Sequence, residues 1–254
     1  MPFARLRSEG FSAGMPPAIA PRSARDRLIV ALDVPTVDEA GRLVARLGES
    51  VTFYKIGMQL VFAGGLTLIP DLTRATKRVF LDMKLLDIDN TVESGVRNIA
   101  RLGATFTTIH AYPAAMRAAV AAAEVEGSAA PGLLAVTVLT SMDDADLAQA
   151  GYEQTASSLV ATRSADARKA GMDGIVCSPR EAAAVRAAIG PDMTIVTPGV
   201  RPQGFASGDQ KRVMGPREAI QAGADYIVVG RPVSASADPA ASARGIVAEI
   251  GAAL

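Results

Sequence analysis

A chain of 254 residues that is 49% hydrophobic can bury one large core, and an α/β barrel commonly uses about 250 residues as a single domain, so no second domain is required. Its 26 basic and 26 acidic side chains cancel, which excludes the long-range field of a nucleic-acid or anionic-membrane binder and leaves small ligands as the expected partners. The single cysteine, Cys177, excludes an internal disulfide and a cysteine zinc cluster, and no apolar run approaches the ~20 residues that span a bilayer, so a soluble, cytoplasmic protein is expected.

Residues 1–26, MPFARLRSEGFSAGMPPAIAPRSARD, are rich in Arg, Ser, Ala and Pro, as a targeting peptide would be. Pro16, Pro17 and Pro21 break any long amphipathic helix, so the segment reads as a disordered tail outside the fold. From Arg27 onward one unit recurs: a short β-rich apolar run, a polar turn, then an Ala-rich segment with helical spacing. RLIVALD (27–33) leads to the helix candidate VDEAGRLVARLG (37–48). VTFYKIG (51–57) and VFLDMK (79–84) follow, then TVESGVRNIARLG (91–103), TFTTIHA (105–111) and LLAVTVLT (133–140). DGIVCSP (173–179) precedes PREAAAVRAAIG (179–190), TIVTPGV (194–200) precedes GPREAIQAG (215–223), and DYIVVGR (225–231) is the last run. Cys177 lies inside one of these runs and reads as a small core residue. Gly48, Gly103, Gly171, Gly190 and Gly223 stand where helix C-termini need a residue free to turn left-handed.

Continuously apolar strands alternating with helices imply a parallel sheet covered on its faces, and eight such units predict a single (β/α)8 TIM barrel over residues 27–254. In that architecture chemistry gathers at the C-terminal ends of the strands. Asp33, Lys55, Asp82, Lys84, His110, Thr140, Arg201 and Arg231 all fall there.

The densest charge is in VFLDMKLLDIDNT (79–91). Asp82 and Lys84 are two apart and project to the same side of a strand, with Asp87 one turn of loop beyond. A lysine between two carboxylates keeps its charge and serves as an acid rather than as an amine nucleophile. The alternative is an ion-pair network that closes the top of the barrel. Strands 7 and 8 end in Gly199, Arg201, Gly230 and Arg231, where backbone amides and a guanidinium can hold a phosphate. A tight turn with a solvated arginine is the other reading. His110, the only histidine, is either an acid–base group or a packing residue behind Lys84.

DMKLLDIDNTV (82–92) resembles the signature Asp-x-Lys-x-x-Asp-Ile-x-Asn-Thr of the orotidine 5′-phosphate decarboxylase family. ALDVP (31–35), FYKIG (53–57), VTVLTS (136–141), TPGVRP (197–202), GDQKRV (208–213) and AGADYIVVGRPV (222–233) resemble further blocks in that family's order. Leu85, Leu86 and Asp89 depart from it, since many members carry Phe-His before the second aspartate and Pro after Asp-Ile. The resemblance implies loss of CO2 from C6 of orotidine 5′-phosphate and protonation of C6 to give UMP, the last step of de novo pyrimidine synthesis, with neither metal nor organic cofactor. It makes Lys84 the proton donor, Asp82 the carboxylate near the departing CO2, and Lys55 and Asp87 the ends of an alternating array. Asp33 resembles the ribose-hydroxyl acceptor, although a helix N-cap is an equal reading for which Thr36 is better suited. Thr140 and Ser141 would face the pyrimidine amide edge, or else cap the next helix. Ile88, Pro198 and Gly230 join the binding set, Arg201 and Arg231 the phosphate, and Gln210 would reach over the nucleotide from a lid that Gly204, Ser207 and Gly208 let move. A homodimer is implied, with Asp87 and Thr91 crossing to the partner subunit's Lys84 and Leu85, Leu86 and Ile88 buried between subunits. A metal-dependent sugar-phosphate enzyme of the same superfamily would want further carboxylates at strand ends, and a silent phosphate-binding barrel would not need the full charged array.

Overall fold

The computed structural model describes residues 21–202 and 214–254. Eight strands, β1 (Leu28–Ala31), β2 (Phe53–Gly57), β3 (Arg78–Leu85), β4 (Phe106–His110), β5 (Gly132–Val136), β6 (Gly174–Val176), β7 (Thr194–Pro198) and β8 (Tyr226–Val229), pair in parallel in chain order, and β8 returns to β1. The closed barrel is the (β/α)8 fold that the eight apolar runs predict. Around it lie α1 (Val37–Leu47), α2 (Met58–Phe62), α3 (Leu68–Arg74), α4 (Asp89–Leu102), α5 (Pro113–Glu126), α6 (Asp144–Gln149), α7 (Ala156–Ala170), α8 (Ala182–Ile189), α9 (Pro216–Gln221), α10 (Arg231–Ser234) and α11 (Pro239–Gly251).

The strands are buried on both faces because their side chains alternate between two cores. Ile29, Phe53, Phe80, Phe106, Leu134, Val196 and Tyr226 fill the barrel interior, whereas Leu28, Val30, Tyr54, Ile56, Val79 and Leu81 face the helices. α1 shows how the helices meet them. Ala40, Leu43 and Leu47 form its buried stripe, the Thr36 hydroxyl accepts from the Glu39 amide at the start, and Gly48 ends it at φ +50°.

At the N-terminal end of the barrel the Arg78 guanidinium lies 4.4 Å from the Phe53 ring centroid and donates to the Tyr226 hydroxyl and the Asp26 carbonyl. Its 3.4 Å pair with the Asp26 carboxylate ties the chain ahead of β1 to this plug. Of the expected tail, residues 1–20 lie outside the described residues, while residues 21–26 are described and Asp26 is bound into the barrel floor.

Every strand but β3 is shorter than its apolar run, and the run 133–140 ends as a strand at Val136. Val138 and Val200 remain buried beyond their strands, in the core between strands and helices, and Val138 also lines the barrel mouth, so hydrophobicity outlasts the hydrogen-bond ladder. β3 instead runs on to Leu85 through an irregularity: Leu81 faces Thr107 and Leu85 faces Ile109, so three residues of β3 oppose Thr108 alone. Within it Lys84 adopts φ +51°, a left-handed conformation that is costly for a residue with a Cβ. No helix among the described residues is long and apolar enough to cross a membrane.

Candidate active site

The C-terminal ends of the strands surround a cavity of about 590 Å³, within the range that takes a small ligand. Phe80, Val136, Val176 and Val228 form its apolar floor, and Asp33, Lys55, Asp82, Lys84, Thr140, Ser141, Pro198, Gly199, Arg201, Gly230 and Arg231 rise around it. Met58 and Gln59, just after β2, also line it and were not singled out from the sequence; nothing in their residue types marks them.

One wall is an unbroken chain of alternating charge. Lys55 Nζ donates to Asp33 Oδ1 at 2.9 Å and stands 3.8 Å from Asp82 Oδ2, and Lys84 Nζ is 2.8 Å from both Asp82 oxygens. Burial pushes the Asp82 carboxyl up, yet the ammonium groups of Lys84 and Lys55, with hydrogen bonds from Lys84 and Thr108, outweigh it and hold the carboxyl below the usual range. Asp82 is therefore ionised at neutral pH. Gly57, which ends β2, makes room for this wall: a Cβ there would stand 2.8 Å from Lys55 Nζ and 3.2 Å from Asp33 Oδ1. The only sequence signal for Gly57 is a glycine two residues after a strand lysine, on the same side of the strand.

Within one chain the array runs Asp33, Lys55, Asp82, Lys84. Asp33 completes it, and Asp87 of the same chain does not. Asp87 is exposed, its Oδ1 accepts from the Ile88 amide at 2.7 Å, and it forms no ion pair among the described residues. Lys84 is thus held by one carboxylate of its own chain rather than between two. Ile88 and Thr91 are likewise exposed and do not line the cavity, because the chain turns outward after Leu85 and enters α4. Leu86 and Ile88, 50% and 72% exposed, leave an apolar rim beside Asp87.

The open alternatives narrow. Thr36, not Asp33, caps α1, and Asp33 remains half-exposed in the cavity. Asp143 caps α6 through a reciprocal bond with Asp146, so Thr140 and Ser141, four and five residues past β5, are not helix caps. His110 ends β4 but does not line the cavity. Burial first, then the charges of Lys84 and Arg163, lower its pKa against the opposing pull of Asp82, which keeps the ring neutral. Arg163 reaches from α7 to the Thr137 carbonyl, at the root of the segment that carries Thr140 and Ser141, and its guanidinium lies against the rings of Tyr112 and Tyr152.

On the far side of the cavity Gly199 takes φ +81°, a turn that needs glycine, and Gly230 leads into α10, whose first residue is Arg231. Arg201 and Arg231 both line the cavity there. Gln210, with Gly204, Ser207 and Gly208, lies outside the described residues. No group of three or more His, Cys, Asp or Glu that could hold a metal ion occurs among the described residues.

A family model described as "Orotidine 5'-phosphate decarboxylase / HUMPS family" matches residues 26–246. The orotidine 5'-phosphate decarboxylase of Methylobacterium sp. (strain 4-46) is 60% identical over 230 residues, 91% of this chain and 98% of that protein. That of Rhodopseudomonas palustris (strain BisB5) is 59% identical over 226 residues, 89% of this chain and 95% of its own. Among solved structures, orotidine 5'-phosphate decarboxylase from Lactobacillus acidophilus superposes with a TM-score of 0.78 at 35% identity, covering 88% of this chain and 98% of that one.

Proposed function

The chain belongs to the orotidine 5′-phosphate decarboxylase/HUMPS family, and on that premise we propose that it converts orotidine 5′-phosphate to UMP, with one catalytic domain over residues 27–254. The observation that carries the reading is the Lys84 ammonium, fixed 2.8 Å from both oxygens of an ionised Asp82 at the rim of the cavity. Cleavage of the C6–carboxylate bond releases CO2 and leaves its electron pair on C6. An ammonium already in place stabilises that charge without solvent reorganisation, then donates its proton to C6 and is reprotonated from water. Asp82 orients the ammonium, and Lys55 and Asp33 continue the array toward the ribose hydroxyls. Lys84 supplies both the charge and the proton, so the step calls for no metal or organic cofactor.

Arg201 and Arg231, across the cavity, suit the 5′-phosphate, and Thr140 and Ser141 suit the polar edge of the pyrimidine. Pro198 and Gly230 complete that side, with Gln210 reaching over the nucleotide. The enzyme acts as a homodimer in which Asp87, Ile88 and Thr91 serve the partner subunit's site. The exposed Asp87 without an ion partner in its own chain, flanked by exposed Leu86 and Ile88, supports this arrangement. A cytoplasmic location suits an anionic nucleotide substrate that does not cross membranes unaided. The test is loss of orotidine 5′-phosphate absorbance with wild type and Lys84→Ala, each with and without EDTA. Activity that survives chelation in wild type and is abolished in a folded Lys84→Ala supports the reading. A mutant within about tenfold of wild type would remove Lys84 as proton donor. Activity lost to EDTA and restored by Mg2+ would favour a metal-dependent sugar-phosphate enzyme.

A further inference from the structure

We infer that Thr108 is the positioning residue of the proton donor: its one hydroxyl fixes both the backbone of Lys84 and the carboxylate that holds the Lys84 ammonium. The inference rests on the decarboxylase reading. Neighbouring residues of a strand face opposite ways, so the two hydroxyls of Thr107 and Thr108 do different work. Thr107 Oγ1 donates to the Leu81 carbonyl at 2.9 Å, a bond that secures the barrel wall. Thr108 Oγ1, fully buried, stands 2.8 Å from the Lys84 amide nitrogen and 2.9 Å from Asp82 Oδ1. The amide can only donate and the ionised carboxylate can only accept. The hydroxyl proton is therefore committed to Asp82 and an oxygen lone pair to Lys84.

The irregularity in β3 explains why a side chain is needed there. Residues 82–84 oppose Thr108 alone, and Lys84 is turned to φ +51°, so its N–H is held by a hydroxyl where a ladder carbonyl would otherwise serve. A left-handed lysine persists only where its surroundings over-determine it, and the Thr108 hydroxyl is the contact that does so. The same oxygen restrains Asp82, which meets the ammonium 2.8 Å away through both oxygens. Thr108 does not line the cavity, so its influence on the substrate passes through these two residues.

Thr108→Val keeps the shape and removes the hydroxyl, whereas Thr108→Ser keeps the hydroxyl and removes a methyl. We expect Thr108→Val to lose about 10- to 100-fold in kcat, with KM for orotidine 5′-phosphate and Kd for UMP within about threefold, because an ångström of misplacement at the reacting centre costs on that order. Thr108→Ser is expected to hold kcat within about threefold. A packing role predicts the reverse order, since serine leaves a void and valine does not. Wild-type kcat in Thr108→Val, or an equal loss in Thr108→Ser, overturns the inference. Should Thr108→Val not fold, Thr108→Cys carries the test: its thiol is a weak hydrogen-bonding group of nearly the same size, and full kcat there overturns the inference equally. Lys84→Ala measured alongside separates the two claims. If it is inactive while Thr108→Val is fully active, the positioning role falls and the proton-donor reading stands; if it remains active, both fall.

Discussion

Replacing Gly57 with alanine should leave the fold intact and disturb the charged wall. Gly57 has φ −103° and ψ 179°, extended backbone open to any residue, so the substitution brings no local strain and reduces the entropy of the unfolded chain. The new Cβ would stand 2.8 Å from Lys55 Nζ and 3.2 Å from Asp33 Oδ1, where a comfortable contact is about 3.5 Å. The ammonium, the free end of a flexible side chain, must retreat by roughly 0.7 Å to restore that contact. Stretching its 2.9 Å pair with Asp33 by that amount at an effective dielectric of ~20 loses about 1 kcal/mol, and less once the half-exposed Asp33 carboxylate is allowed its solvent screening. The 3.8 Å approach to Asp82 is disturbed as well, and with it the seat of Lys84. We expect kcat/KM for orotidine 5′-phosphate to fall about five- to tenfold, with Tm unchanged within a few degrees. The assay is substrate absorbance under single-turnover and steady-state conditions, paired with a melting curve. A kcat/KM within about twofold of wild type would refute the reasoning, because the wall would then tolerate displacement of Lys55. A collapse in Tm would refute it differently, by showing that the position is structural.

Arg231→Ala should weaken UMP binding by at least about tenfold and uridine binding by less than about threefold, measured by calorimetry; equal losses would remove this arginine from the phosphate. Mixing Lys84→Ala with Asp87→Ala, each nearly inactive alone, should restore about a quarter of wild-type activity once subunits exchange, since half of the dimers are mixed and each holds one intact site. No recovery despite demonstrated exchange would place Asp87 in its own chain's site. His110→Gln should keep decarboxylation within about tenfold at pH 7 and flatten the acid side of stability. The folded pKa of His110 lies below its ordinary 6.5, so the unfolded chain takes up the proton first as pH falls. Its contribution is complete above about pH 6.5 and lost as pH falls through the lower folded value. Melting curves of wild type and variant between pH 8 and 5 that stay parallel would show that His110 does not titrate as described.

The barrel was legible because its signals are local. Eight apolar runs, helices with a 3.6-residue stripe such as Ala40, Leu43 and Leu47, and glycines placed to turn left-handed at Gly103 and Gly171 are properties of short windows, and they determine strand, helix and cap without reference to the rest of the chain. The chemistry-bearing residues were legible for the same reason: Asp33, Lys55, Asp82, Lys84 and Arg231 are charges at the ends of apolar runs, where only a site or solvent can accept them. Where the apolar run outlasts the strand, as from Val136 to Val138, composition misplaces the boundary, because burial at the barrel mouth looks the same as burial in a ladder. What only the tertiary structure decided is which of these groups meet. Asp33 joins Lys55 across 22 residues of sequence, Thr108 reaches Asp82 across 26, and Asp87, three residues from Lys84, faces outward. Those outcomes depend on the register between neighbouring strands and on the left-handed turn at Lys84. Register is fixed by the closing of the whole barrel, in which every strand must match two neighbours at once, and no short window of sequence contains both.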